Sequence, residues 1–294
     1  MKSFNDFRKL VVLEEDETFP IYQDALTEEL HSELKSILNS ETIDPRYKND
    51  RITRAVRDLV KRGEDTGLVD GKPKKGSSRA VYFHSEPKLL NIDGQDVHVP
   101  TVLKVAFPGV LDRHTGHSSL LGEEQNRVEA EPLMSHHSVL RHIGGNRYET
   151  NHDGAYMPVL DSHPEGHWLE MPLAQKFSAV DFKNHTKHPE IKGGFTFKDF
   201  TNVMQTEHAN ANGSQRYGAL PEEKHDLIRF HPYTDAAIDG MQLIGLHPND
   251  IGPSNMGTFV HPITGHRYPV QLDYGWTGHV AKLYALGRKN KYKW

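Results

Sequence analysis

The sequence predicts an α+β protein with more than one lobe. Three observations lead there. Strand-like segments near residues 79–107 and 148–173 flank a glutamate-rich helical segment at 120–131. Helical patterns lie on either side, at 25–62 and 221–246. Only 36% of the 294 residues are apolar, below the roughly 45–50% of an average globular chain. Small cores need fewer apolar residues than one large core.

Composition narrows the chemistry. Charged residues make up 26%, with 24 glycines and 17 prolines, which suits a loop-rich folded chain. There is no cysteine, so disulfides, thiolate zinc sites, iron–sulfur clusters and cysteine nucleophiles are excluded. The net charge of −5 and a pI near 6.5 give no global case for nucleic-acid binding. Apolar runs reach about five residues, against the ~20 of a membrane helix, so no membrane partner is expected. Met1–Asp6 lacks a signal-peptide core. These features point to the cytoplasm, or to a particle packaged from it.

The 20 histidines invite a metal reading. The pairs are His114/His117, His136/His137, His163/His167 and His185/His188. Glycine or proline interrupts two of them, and no H-E-x-x-H occurs. They read as surface or pH-responsive groups.

Taken in order, residues 1–66 read as helical. Leu26, Leu30, Leu34 and Leu38 form one stripe behind a start at Thr27-Glu28-Glu29. Asp50–Arg62 places Ile52, Ala55, Val56, Leu59 and Val60 on one face, and Gly63 ends it. Beyond Gly67, Arg79–Phe83 is rich in β-formers. After the Asp93-Gly94 turn, Val97–Phe107 reads as further strand. Leu120–Glu131 reads as helix, ended by Pro132. Tyr148–Leu160 and Trp168–Leu173 read as two strands joined at Ser162–Gly166. Residues 174–220 are polar and read as a long excursion. Pro221–Leu246 reads as helix interrupted at Pro232.

The order of polar residues carries the chemistry. His247-Pro248-Asn249-Asp250 leads to Asn255, five positions after the aspartate. A strand, Tyr268–Leu272, then ends in Asp273-Tyr274-Gly275. Upstream, Val102-Leu103-Lys104-Val105-Ala106 puts a lysine on the strand face opposite Leu103 and Val105. Glu129 lies in the following helix, with Glu124 and Glu131 as alternatives. Lys75-Gly76-Ser77-Ser78-Arg79 precedes them all.

This set resembles the protein-kinase-like superfamily, whose catalytic loop reads H-R-D-x-x-x-x-N and whose metal loop reads D-F-G. The match covers roughly residues 70–280. The resemblance implies a two-lobed fold, with an antiparallel-sheet N-lobe at 67–168 and a small, mostly helical C-lobe at 169–294. The C-lobe carries an insertion at 174–220, and a helical extension at 1–66 precedes both lobes.

The resemblance also implies roles. Lys104 would hold phosphates, Glu129 would position Lys104, and Asp250 would be the catalytic base. Asn255 and Asp273 would bind magnesium. Gly76, Ser77 and Ser78 would cover the ATP, and Glu170 and Met171 would sit at the adenine-binding hinge. If Leu169 precedes the hinge, Pro172 meets the adenine without an N–H; if Trp168 does, Met171 takes that place.

The sequence departs from the family pattern in places. The loop has one glycine, Gly76, where three are usual. His247 stands three residues before Asp250, not two. Only residues 276–294 follow Gly275, too few for a peptide-substrate platform. They carry Lys282, Arg288, Lys289, Lys291 and Lys293 and no acid. The chain therefore resembles compact kinase-like proteins, such as phage-encoded kinases or small-molecule phosphotransferases, and the style of its Leu246-His247-Pro248-Asn249-Asp250 loop and Asp273-Tyr274-Gly275 resembles the phage-encoded ones. The implied function is an ATP- and magnesium-dependent phosphotransferase acting on a host protein or small molecule. The alternative is an inactive pseudokinase or a structural virion component. Nucleic acid would enter only through the basic tail.

Overall fold

The computed structural model describes residues 69–75, 79–84, 86–106, 110–111, 118–119, 121–191, 193–213, 220–278 and 280, with scattered positions between 32 and 58. Apart from those positions, the expected helices at 25–38 and 50–62 lie outside the described residues. So does the tail at 281–294, with the basic residues noted above.

The protein is α+β. Its largest sheet has the order β1 (Val69–Lys75), β2 (Arg79–His84), β5 (Thr101–Ala106), β11 (Trp168–Pro172), β10 (Asp161–Ser162). Every neighbouring pair in it is antiparallel. A four-stranded mixed sheet has the order β4 (Gln95–Val99), β3 (Lys88–Ile92), β9 (Arg147–Thr150), β8 (Leu140–Gly144). Its β3–β9 pair is parallel. The Asp93-Gly94 turn expected from sequence closes β3 onto β4, with positive φ at both residues. A two-stranded pair joins β6 (Val110–Leu111) to β7 (Ser118–Ser119).

A third sheet has the order β12 (Gln175–Lys176), β13 (Met256–Val260), β14 (Arg267–Gln271). Leu173 and Ala174 alone separate β11 from β12, so two residues cross from the large sheet to the small one. The expected strand at 148–160 is shorter than its sequence suggests. Pairing stops at Thr150, and only Tyr156 bridges onward, to Ser138 and Gln271. Gly154 and Pro158 lie within the unpaired stretch.

Among the described residues the α-helices with complete bounds are α1 (Leu121–Glu129), α2 (Ala179–His185), α3 (Phe197–Ala211), α4 (Glu222–Arg229) and α5 (Pro232–Ile244). Two of them overturn the reading of 174–220 as a polar excursion. Ser178 caps α2, and Thr196 with Asp199 forms a capping box on α3. Phe200, Val203 and Met204 are buried at helical spacing on α3. The polar residues of the stretch are the outer face of helices that fill the core. Pro232 is likewise the first residue of α5, with the His231 ring accepting from the Tyr233 N–H.

Phe182 of α2 centres an aromatic nest. It meets Phe195, Phe197 and Tyr233 edge-on at centroid distances of 5.8, 5.4 and 5.7 Å. Tyr156 packs beside α5, where a Cβ on Gly240 would fall 2.4 Å from its ring. Its hydroxyl donates to the Ala237 carbonyl at 2.7 Å. Glycine at 240 is what lets that ring lie against the helix.

Histidines gather beside this nest. The His185 ring lies 5.3 Å from Tyr233, 5.4 Å from Tyr268 and 5.8 Å from His266. Burial, with His266, His231 and His152 pressing the same way, lowers His185 to about 4. The unfolded chain therefore binds a proton that the folded chain resists. Stability is complete above about pH 6.5 and falls as pH drops towards 4. Urea unfolding at pH 7 and pH 5 is expected to differ by about 1 kcal/mol from this residue, allowing for its partial exposure. His185→Phe should flatten that slope; an unchanged slope removes the assignment.

Candidate active site

Lys104 sits mid-strand in β5, paired with Val81 on one side and Leu169 on the other. Directly paired residues share a sheet face. Two residues along β2 from Val81, Arg79 leaves the same face. The side chains of Lys104 and Arg79 therefore converge on α1. That helix buries a polar face, Glu123, Gln125, Asn126 and Glu129. Asn126 and Glu129 are three apart and so share one side of it.

Glu129 is the hub. Lys104 Nζ donates to Oε2 at 2.8 Å, and Arg79 Nη2 lies 2.8 Å from Oε1. The N–H groups of Tyr274 and Gly275 donate to the same Oε1 at 3.1 and 3.0 Å. One buried carboxylate thus ties β2, β5 and the Asp273-Tyr274-Gly275 segment together, so the lysine–glutamate pair expected from sequence is formed. Glu124 is instead occupied by Arg127, and Glu131 is exposed beyond the helix end.

The 273–275 segment fits against α1 because Gly275 has no side chain. A Cβ there would lie 2.6 Å from Gln125 Cβ and 2.7 Å from the Gln125 carbonyl oxygen. Tyr274 is fully buried. Its hydroxyl donates to the Met157 carbonyl at 2.8 Å, so the buried phenol is satisfied. Tyr274→Phe should cost about 1 kcal/mol in urea unfolding. No measurable loss would mean that this hydrogen bond contributes nothing net.

Across from α1, Asp250 ends the 3-10 turn Pro248–Asp250. The Asn255 amide donates to the Asp250 carbonyl at 2.8 Å and to its carboxylate at 2.9 Å. Asn255 also accepts the Leu272 N–H at its own carbonyl, 2.7 Å away. Gln271 Nε2 donates to the Asp273 carbonyl at 2.9 Å. The loop at 250–255 is therefore fastened to the segment carrying Asp273.

The charges are strongly coupled. Burial would raise Asp273, but Arg79 and Lys104 outweigh it and hold the carboxyl at about 2. Burial pushes Asp250 up to about 7, helped by the Asp273 and Glu129 carboxylates and opposed by Arg79. Burial draws Lys104 below the usual lysine range; Arg79 adds to this, and Glu129 and Asp273 oppose it.

Lys104, Glu129, Asp250, Asn255 and Asp273 thus belong to one linked network. Gly76, Ser77 and Ser78 lie outside the described residues. The hinge expectation needs correction. Glu170 and Met171 are buried inside β11, paired with Leu103 and Val102. Glu170 pairs with Leu103, so it lies on the face opposite Lys104. There its carboxylate meets Lys88 at 2.6 Å and His84 at 3.2 Å. Its carbonyl accepts the Leu160 N–H at 2.8 Å. Met171 shares the Lys104 face but lies within the paired strand. The chain leaves the sheet only at Leu173-Ala174, and it is the register of β11 on β5 that puts Glu170 on the face away from Lys104.

Two residues were missed. Arg79 contacts Asp273 and Glu129 and donates to Asn126 Oδ1 at 3.1 Å. The Asn126 amide in turn donates to the Gly166 carbonyl at 2.8 Å. The signal for Asn126 was its i, i+3 spacing to Glu129. For Arg79 the sequence held no such signal, because its face is set by the pairing of β2 with β5.

The donor set suits a hard cation. Asp273 offers a carboxylate whose side chain is 46% exposed, and Asn255 offers a carboxamide oxygen. Among the described residues, no group of three His, Asp or Glu side chains could hold a metal ion unaided. Magnesium commonly takes one or two protein oxygens and completes its shell with phosphate and water, so Asp273 and Asn255 are the residues that would hold it. Among the described residues no helix is long and apolar enough to cross a membrane. No model of a known protein family matches the chain, and no curated protein matches it.

Proposed function

We propose that the protein is an ATP- and magnesium-dependent phosphotransferase on a protein-kinase-like, two-lobed scaffold. It would transfer phosphate to a hydroxyl of a protein or small molecule. One observation carries this reading: Lys104, Glu129 and Asp273 meet in one network, with Asp250 and Asn255 fastened beside it. These residues come from four separate parts of the chain, and each supplies a group that phosphoryl transfer uses.

The Lys104 ammonium donates to phosphate oxygens, and Glu129 fixes its direction. Asp250 accepts the proton of the attacking hydroxyl, and Asn255 holds that carboxylate in place. Asp273 and Asn255 would hold magnesium, which neutralises phosphate charge when bound. Magnesium-dependent ATP turnover should fall to background in Asp273→Ala. Equal turnover in the two proteins overturns the proposal.

A nucleotide-binding pseudokinase is the second reading, favoured by the Arg79 contact that already neutralises Asp273. ATP-induced thermal stabilisation without turnover would select it.

A further inference from the structure

The guanidinium of Arg79 is the least expected group at this site. It is buried, at 4% exposure, and both of its terminal nitrogens have partners. Nη2 serves Glu129 and Asp273 together, and Nη1 reaches Asn126 at 3.1 Å. Asn126 is itself anchored to Gly166, so the guanidinium is held from behind by a neutral acceptor. A planar fork suits two carboxylates at once in a way a lysine does not.

Around Asp273 the close ionic contacts set two cations, Arg79 and Lys104, against two anions, Glu129 and Asp273, with the Asp250 carboxyl facing the same group. A bare divalent ion approaching Asp273 meets a carboxylate already compensated. It also meets two fixed positive charges within hydrogen-bonding reach of that carboxylate or its partner. A metal that arrives bound to phosphates brings its own negative charge. That charge compensates Arg79 and Lys104 when the metal takes up Asp273, so no cation is left unpaired.

We infer that Arg79 is a positioning residue that holds Asp273 as an internal counter-cation, so that the site rejects free divalent metal and accepts metal carried by a polyphosphate. The inference rests on the reading of Asp273 as a metal carboxylate. It adds a selectivity device to that site: the order of loading is set by charge, with metal and phosphate entering together.

The test uses manganese(II) alone, followed by the loss of its free-ion paramagnetic resonance signal on titration with full-length protein. The wild type should bind it only weakly. Arg79→Met should bind it at least about tenfold tighter, because the competing charge is gone. Arg79→Lys retains a charge and should stay near wild type. Asp273→Asn in the Arg79→Met background should abolish the gain. A merely structural role predicts the opposite, since a loosened site binds metal less well.

If Arg79→Met does not fold, as judged by circular dichroism, Arg79→Gln replaces it, keeping a polar group towards Asn126 with the same expected gain. A neutral variant that binds no tighter than wild type overturns the inference, and so does an equal gain in Arg79→Lys. ATP turnover is scored separately. Turnover without a manganese gain removes the role of Arg79 alone. A gain without nucleotide binding or turnover removes the phosphotransferase reading and leaves the Arg79–metal competition standing.

Discussion

Asp250→Asn should lower ATP turnover by about 10²–10⁴-fold, the range typical of removing a general base. The substitution keeps the size of the side chain. An asparagine oxygen can still accept from the Asn255 amide, now 2.9 Å away. The backbone contact from Asn255 to the residue 250 carbonyl, at 2.8 Å, is untouched. What disappears is the capacity to take a proton. Nucleotide binding should therefore stay near wild type while turnover falls, a split visible by comparing ATP-induced thermal stabilisation with initial rates. Burial and the neighbouring carboxylates that lift Asp250 to about 7 suit it to this role near neutral pH. Undiminished turnover would remove Asp250 as the base.

Glu129→Gln is expected to have the largest effect on stability. The Glu129 side chain is fully buried and pairs with both Lys104 and Arg79. Neutralising it leaves two buried cations with Asp273 as their remaining acidic partner in the network. Removing one partner of a buried ion pair costs roughly 3–5 kcal/mol. The loss should appear as a lower urea midpoint at unchanged slope. Adding Arg79→Met should restore part of it, because one stranded charge is then gone. The double variant should thus be less destabilised than the sum of the two singles. Simple additivity would mean that Arg79 and Glu129 are not coupled.

Much of this site was legible in the sequence. Lys104 announced itself by alternating with Leu103 and Val105. Asp273-Tyr274-Gly275 followed a strand, and Asp250 and Asn255 kept their five-residue spacing. Local patterns of this kind survive folding because each depends on a single element. What stayed hidden depended on neighbours. Arg79 is buried because β2, not β1, lies against β5, and strand order is not written in alternation. Glu170 looked like part of a nucleotide edge until its partner Leu103 placed it on the other face. The core role of α2 and α3 was masked because a few aromatic and aliphatic positions, Phe182, Phe200, Val203 and Met204, are scattered among many polar ones.

The pairing of Arg79 with Asp273 spans 194 positions. At synthesis rates of about 5–20 residues per second, roughly 10–40 seconds separate the two residues as the chain is made. Once made, Glu129, which follows Lys104 by 25 positions, faces both cations without Asp273 for the rest of that interval. The ionic network is therefore completed only once residue 273 has been added. A ribosome stalled before residue 273 would carry strands and helices already made, but a centre without the carboxylate that compensates Arg79.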